Sequence, residues 1–238
     1  MSRFSVTLLL LAAGCGRLPG RPTEAEVPLL PVQVTNFAAL YSQNCAGCHG
    51  TDGRGNGALA LANPVYLAIA NDEVLRRVTA QGVPGTLMPA FARSAGGLLT
   101  EAQIEILVQG MRTRWSKPEW LGGATPPPYA ARGPGDARHG GDAFAVFCAS
   151  CHGPTGRGTN TVDSIVDGAF LALVSDQYLR STIIAGRPEL KHPDWQHLVP
   201  SRALTDQQVT DLVAWLAAQR VATPGQPYPT VASPRISK

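Results

Sequence analysis

The sequence predicts an all-α chain built from two tandem copies of one small helical unit. Three observations carry that expectation: an internal repeat, a capping box at the same place in each copy, and apolar residues at helical spacing behind each box. The copies are residues 36–117 and 137–221. Tyr41-Ser-Gln-Asn-Cys-Ala-Gly-Cys-His-Gly50 aligns with Phe144-Ala-Val-Phe-Cys-Ala-Ser-Cys-His-Gly153. Further on, Tyr66, Leu67, Asp72, Leu75 and Gly82 align with Phe170, Leu171, Asp176, Leu179 and Gly186. The offset is 103 at the cysteines and 105 at the last helix, so two small insertions separate the copies.

Each copy reads as helices joined by long loops. One helix leads into each cysteine pair, with Tyr41 or Phe144 four residues before it. A second begins near Asp72 or Asp176. The last starts after Thr100 or Thr205, each with Gln three residues on, the pattern that satisfies free N–H groups at a helix start. Behind the caps come Ile104, Leu107, Val108 and Met111 in one copy, and Val209, Leu212, Val213 and Leu216 in the other.

The flanking segments read differently. Residues 1–14 have the form of a secretory signal, with Arg3 before an apolar run from Val6 to Ala13 that is too short to span a bilayer. Leu11-Ala12-Ala13-Gly14-Cys15 resembles the bacterial lipobox, departing from it at Ala12, where Leu is usual. That resemblance implies cleavage before Cys15 and acylation of its sulfur; the alternative is a plain signal peptide cut nearby. Residues 15–35 read as a Pro-rich tether, 118–136 as a semi-rigid linker around Pro126, Pro127 and Pro128, and 222–238 as a Pro-rich tail.

Composition narrows the function classes. Charged residues are 16% and the formal net charge is +3, without the basic stripe of a nucleic-acid binder. Only 6% of residues are aromatic, so each small unit needs something besides large side chains to fill its core.

Five cysteines argue against a simple disulfide framework. Cys45-Ala-Gly-Cys48-His49 and Cys148-Ala-Ser-Cys151-His152 both fit C-x-x-C-H. Two sulfurs on one helical turn can bond the two vinyl groups of a haem, and the adjacent imidazole then reaches the iron. A zinc site would need four ligands, and a cytosolic redox dithiol would not follow a signal peptide. Two haem c groups are therefore expected, held by Cys45, Cys48 and His49 and by Cys148, Cys151 and His152.

The two segments resemble class I cytochrome c domains over nearly their whole length. The resemblance implies a small all-α fold around each haem, with first and last helices crossing. Gly140 and Phe144 stand where that family has its crossing glycine and aromatic; Phe37 replaces the glycine in the first copy, implying a wider or differently packed crossing. Pro64 stands near where the family has a proline whose carbonyl orients the proximal His, with Gly168 in the second copy.

The family takes its sixth iron ligand from a later loop, usually a Met followed by Pro. Met88-Pro89 lies 39 residues after His49. Met111 sits on the apolar stripe of a helix and reads as core. The second copy has no methionine; His192-Pro193 lies 40 residues after His152 and six after Gly186, as Met88 lies six after Gly82. His192 is the expected ligand there, with His197 and an open iron position as alternatives; His139 reads as solvated. A thioether favours ferrous iron and a second imidazole favours ferric, so haem 1 should have the higher potential.

The expected function is electron transfer in a respiratory or photosynthetic chain, between a quinol-oxidising complex and a downstream acceptor, on the periplasmic side of a bacterial envelope. The chain would hold to the membrane through Cys15, meet redox partner proteins and bind no nucleic acid. Segments 175–180 and 192–195 resemble dihaem lipoprotein cytochromes that accompany bacterial cytochrome b–Rieske complexes, although that family usually has Met where His192 stands. The alternatives are a dihaem enzyme of peroxidase or thiosulfate-oxidising type, with a labile ligand at haem 2, and a sensor, for which no output domain is seen.

Overall fold

The computed structural model describes residues 28–221. Cys15, the expected signal segment and the Pro-rich tail lie outside the described residues. Residues 28–34 fall in a unit of their own and contain one 3-10 turn, Pro31–Gln33.

From Thr35 onward the chain is helical, and its two halves repeat one order of elements. The first half has α1 (Phe37–Asn44), α2 (Ala46–His49), α3 (Pro64–Ile69), α4 (Asp72–Gln81) and α5 (Glu101–Trp115). The second has α6 (Ala137–Phe147), α7 (Ala149–His152), α8 (Gly168–Leu173), α9 (Asp176–Ala185) and α10 (Asp206–Ala217). Among the described residues there is no β-strand, only isolated bridges. No described helix is long and apolar enough to cross a membrane.

The helices start where side chains can satisfy their free N–H groups. Asn36, Asn63, Asn71 and Thr100 cap α1, α3, α4 and α5. Asp136, Asp167, Ser175 and Thr205 do the same for α6, α8, α9 and α10. Each cap stabilises its helix by about 1 kcal/mol. Both Thr–Gln pairs form full capping boxes, as their spacing predicts. The short helices α3 and α8 have no apolar period of their own and are defined by their Asx caps.

The helix crossings explain the unmatched Phe37. In the second half, a Cβ placed on Gly140 of α6 would lie 2.0 Å from the Asp211 carbonyl oxygen and 2.7 Å from Trp215 Cβ, so only glycine lets α6 and α10 approach. In the first half the glycine is on the other helix: a Cβ on Gly110 of α5 would lie 1.9 Å from the Phe37 ring. Phe37 and Gly140 align, as do Gly110 and Trp215. Large and small residues have thus exchanged helices. The first crossing is packed differently, in line with the expectation from Phe37.

The segment between the halves is strapped down. After a 3-10 turn at Pro118–Leu121, Pro127 is buried. The guanidinium of Arg180, itself 3% exposed, donates to the carbonyls of Pro128 and Tyr129 and to Thr210, and pairs with Asp206. Gln177 Nε2 donates to the Tyr129 carbonyl at 2.9 Å.

Two candidate haem-binding sites

Both C-x-x-C-H motifs are built alike. The first cysteine ends one helix and begins the next, Cys45 between α1 and α2 and Cys148 between α6 and α7. Cys45 and Cys148 are partly buried, Cys48 and Cys151 exposed, and none forms a disulfide. Burial first, and then the neighbouring cysteine, push the Cys45 and Cys148 thiols up to about 12. A reactive dithiol needs a lowered value, so the redox-dithiol alternative is disfavoured. Among the described residues no group of three or more His, Cys, Asp or Glu side chains is arranged to hold a metal on protein donors alone, which disfavours zinc. Paired sulfurs beside an imidazole fit a covalently attached haem.

The proximal imidazoles differ in their support. His49 is buried, and its Nδ1 lies 2.7 Å from the Leu59 carbonyl oxygen. That bond fixes the tautomer and turns Nε2 outward, as a metal-binding imidazole requires. The carbonyl comes from Leu59, four residues before the cap Asn63, and not from Pro64, which is the first residue of α3. The expected role of Pro64 is therefore corrected: Pro64 begins α3, and the Leu59 carbonyl, earlier in the preceding loop, meets the ring instead. In the second half Asp163 aligns with Leu59, and its carbonyl stands near His152 without reaching hydrogen-bond geometry; His152 Nδ1 is buried and unpartnered. Burial holds both imidazoles below their usual range, which favours the neutral form that binds metal.

The distal loops share one backbone device. Gly82 ends α4 with φ 68°, and Gly186 ends α9 with φ 67°. A Cβ on Gly82 would lie 2.6 Å from the Met88 carbonyl oxygen, and one on Gly186 would lie 2.7 Å from the His192 carbonyl oxygen. The Val83 N–H donates to the Met88 carbonyl at 3.0 Å and the Arg187 N–H to the His192 carbonyl at 2.9 Å. Met88 and His192 thus occupy equivalent positions in equivalent loops.

In the second half the two imidazoles face each other. The His152 and His192 ring centres are 6.1 Å apart, with planes tilted by 48°. A metal–imidazole bond is about 2 Å, which puts each ring centre roughly 3 Å from a metal held between them. The observed span suits that arrangement. His192 Nδ1 is also buried without a partner, and burial, then the His152 ring, lower its proton affinity.

The other candidates lie elsewhere. His197 is exposed, with Nδ1 2.7 Å from Asp194. His139 is exposed beside Arg138, and Met111 is buried in the core. Three contributors carried no motif: the Leu59 carbonyl, Asn63, and Arg187, whose guanidinium meets Glu189 at 2.7 Å and the Tyr178 hydroxyl at 3.2 Å. Only a position-by-position comparison of the copies, with Val83 and Val74 where Arg187 and Tyr178 stand, would have raised the last pair.

Two helical units, each placing a pair of cysteines beside an imidazole at the end of a helix, define a c-type cytochrome with two haem c groups. Residues 32–109 match the family described as cytochrome C oxidase, cbb3-type, subunit III, and residues 137–219 match cytochrome c. The chain is a dihaem class I c-type cytochrome, and its function is electron transfer. Its relatives include the Cbb3-type cytochrome c oxidase subunit CcoP of Azospirillum sp. (strain B510), 26% identical over 72% of this chain and 51% of that protein. The Cbb3-type cytochrome c oxidase subunit FixP of Azorhizobium caulinodans is 26% identical over 74% of this chain and 58% of that protein. The chain thus spans little more than half the length of these relatives. A chain of the Kuenenia stuttgartiensis reducing HAO-like protein complex superposes with a TM-score of 0.46 at 18% identity, covering 82% of this chain and 100% of that one, too loosely to carry an argument.

Proposed function

We propose that this chain carries electrons on the periplasmic side of a bacterial membrane, from a quinol-oxidising complex to a terminal oxidase of the cbb3 class. His49 and Met88 are the axial ligands of haem 1, and His152 and His192 those of haem 2. The facing His152 and His192 rings carry this reading. With two protein donors per iron, no coordination position is left for a substrate, as a carrier requires and an enzyme does not. The oxidase-subunit relatives support the acceptor side. The resemblance of segments 175–180 and 192–195 to cytochromes that accompany cytochrome b–Rieske complexes supports the donor side. A carrier between the two accommodates both.

Lipidation at Cys15 would hold the chain at the membrane. Each buried methylene contributes about 0.8 kcal/mol, so multiple acyl chains anchor stably. Mass spectrometry of the mature chain should find an acylated N-terminal cysteine.

The functional test is purification from native membranes followed by carbon monoxide titration. An oxidase should co-purify or accept electrons from the reduced chain, and the ferrous spectra of both haems should stay unchanged under carbon monoxide. Rapid stoichiometric binding at haem 2 would instead favour the enzyme reading with a labile His192.

A further inference from the structure

We propose that Asn63 is the positioning residue that couples the two haem centres electronically, by closing a hydrogen-bonded bridge between the proximal loop of haem 1 and the distal loop of haem 2. This rests on the axial ligands proposed above.

The bridge can be followed atom by atom. His49 Nδ1–H donates to the Leu59 carbonyl at 2.7 Å. The Leu59–Ala60 peptide continues to the Ala60 carbonyl, which accepts from the Asn63 backbone N–H at 3.2 Å. Asn63 Nδ2–H then crosses to the second half and donates to the Ala185 carbonyl at 2.8 Å, in a buried bond. From Ala185 the backbone runs through Gly186 to Arg187, which exchanges two hydrogen bonds with His192, at 2.9 and 3.0 Å. Four hydrogen-bonded links and the covalent stretches between them thus lead from the His49 imidazole to His192, the residue proposed to carry the sixth ligand of haem 2.

Asn63 is suited to the crossing in a way its cap role does not require. Its Oδ1 accepts from the N–H groups of Val65 and Tyr66 at 2.9 and 3.1 Å, which fixes the amide plane and leaves Nδ2 aimed outward. Asp167 caps α8 with the same pair of bonds, at 3.0 and 2.9 Å, and has no donor to spare. A carboxylate therefore suffices for the cap; only the crossing needs the amide. Asn63 is 5% exposed, and a buried amide N–H makes a partner obligatory.

Electron tunnelling decays faster across a van der Waals gap than along bonded atoms, so a bonded bridge of this kind adds to the coupling between the two centres. The step oxidises the iron held by His152 and His192 and reduces the iron held by His49 and Met88 by one electron. No bond is made or broken and no proton moves.

The test uses the full dihaem chain with Asn63→Asp, which keeps the cap oxygen and loses the donor, and Asn63→Ser, which keeps the cap oxygen and replaces the Nδ2 donor by a shorter hydroxyl. Gln177→Ala, which loosens the linker but leaves the bridge intact, is the control. After photoreduction, re-equilibration of the electron between the two haems is followed by absorbance, with redox titrations and low-spin spectra alongside. Both Asn63 variants should re-equilibrate severalfold more slowly with both low-spin spectra intact, and the control should match wild type. Unchanged rates in either Asn63 variant with intact spectra would overturn the coupling role alone. Equal slowing in the control would reduce Asn63 to an interface contact and overturn it too. Spectra of the unsubstituted chain without two low-spin haems would instead overturn the ligand assignment beneath it.

Discussion

The two candidate haem sites differ in more than their proposed sixth ligand. Around the first, His49 is buried and bonded to Leu59, and the residues of α4 and the distal loop are Val74, Val78, Val83, Leu87 and Phe91. The aligned positions of the second are Tyr178, Thr182, Arg187, Lys191 and Trp195, and His152 is more exposed, with Nδ1 unpartnered. Ligand type and surroundings therefore pull in opposite directions. With the proposed ligands, a thioether would raise the potential of haem 1, while the Leu59 bond would make His49 a stronger donor and lower it. A second imidazole would lower haem 2, while the missing bond at His152 and the Arg187 cation, partly offset by its Glu189 partner, would raise it. We expect haem 1 to remain the higher, with a gap narrower than the ligands alone imply.

Breaking that contrast should have its largest effect on the potentials. His192→Met, which gives both irons the same donor set, should raise haem 2 toward or above haem 1 in a spectroscopic redox titration; an unmoved potential would remove His192 from the iron. Next come the aligned arginines Arg180 and Arg76. Arg180→Ala strips a buried guanidinium from Asp206, Thr210 and the linker carbonyls and should cost about 3–5 kcal/mol in denaturant unfolding. Arg76 is exposed beside Glu105, so Arg76→Ala should leave the unfolding midpoint close to that of the unsubstituted chain. The crossings should be equally sensitive. Gly140→Ala meets the backbone of Asp211 and Gly110→Ala the buried Phe37 ring held against Tyr41 and Trp115, and each should cost about 3 kcal/mol.

The smallest effect is acid sensitivity. The hydrogen bond from Arg112 holds the Asp72 carboxyl below the usual carboxylate range of about 4. That contribution is fully present above this range and fades as pH falls through the lower folded value. Because Asp72 is solvent-exposed, it amounts to less than about 1 kcal/mol. Asp72→Asn should flatten the stability profile below about pH 4 by that amount.

The tryptophans show where sequence comparison stopped working. A Cβ on Gly53 would meet the Trp115 ring at 2.7 Å, and one on the aligned Gly156 would meet the Trp215 ring at 3.2 Å. The same space is filled by an indole in both halves, yet Trp115 aligns with Arg220 and Trp215 with Gly110. The arginines shift in the same way. Arg112 reaches the Leu67 and Ala70 carbonyls and Asp72 from within α5, and Arg220 reaches the aligned Leu171, Val174 and Asp176 from just beyond the end of α10. Packing constrains where a side chain ends, and a long side chain can arrive there from more than one helical turn, so such exchanges erase the match in sequence while keeping it in space.

What the sequence by itself determined is local: helix starts set by Asn, Asp, Ser and Thr caps, the two C-x-x-C-H turns, and the glycines that end α4 and α9 six residues before Met88 and His192. These are legible because each is satisfied by atoms a few residues apart. The tertiary structure alone decided that Leu59 and not Pro64 supports His49, that Arg180 holds the linker, and that Asn63 reaches Ala185 across 122 residues. Those choices turn on which buried donor meets which carbonyl once the helices have packed, and no spacing along the chain encodes that distance.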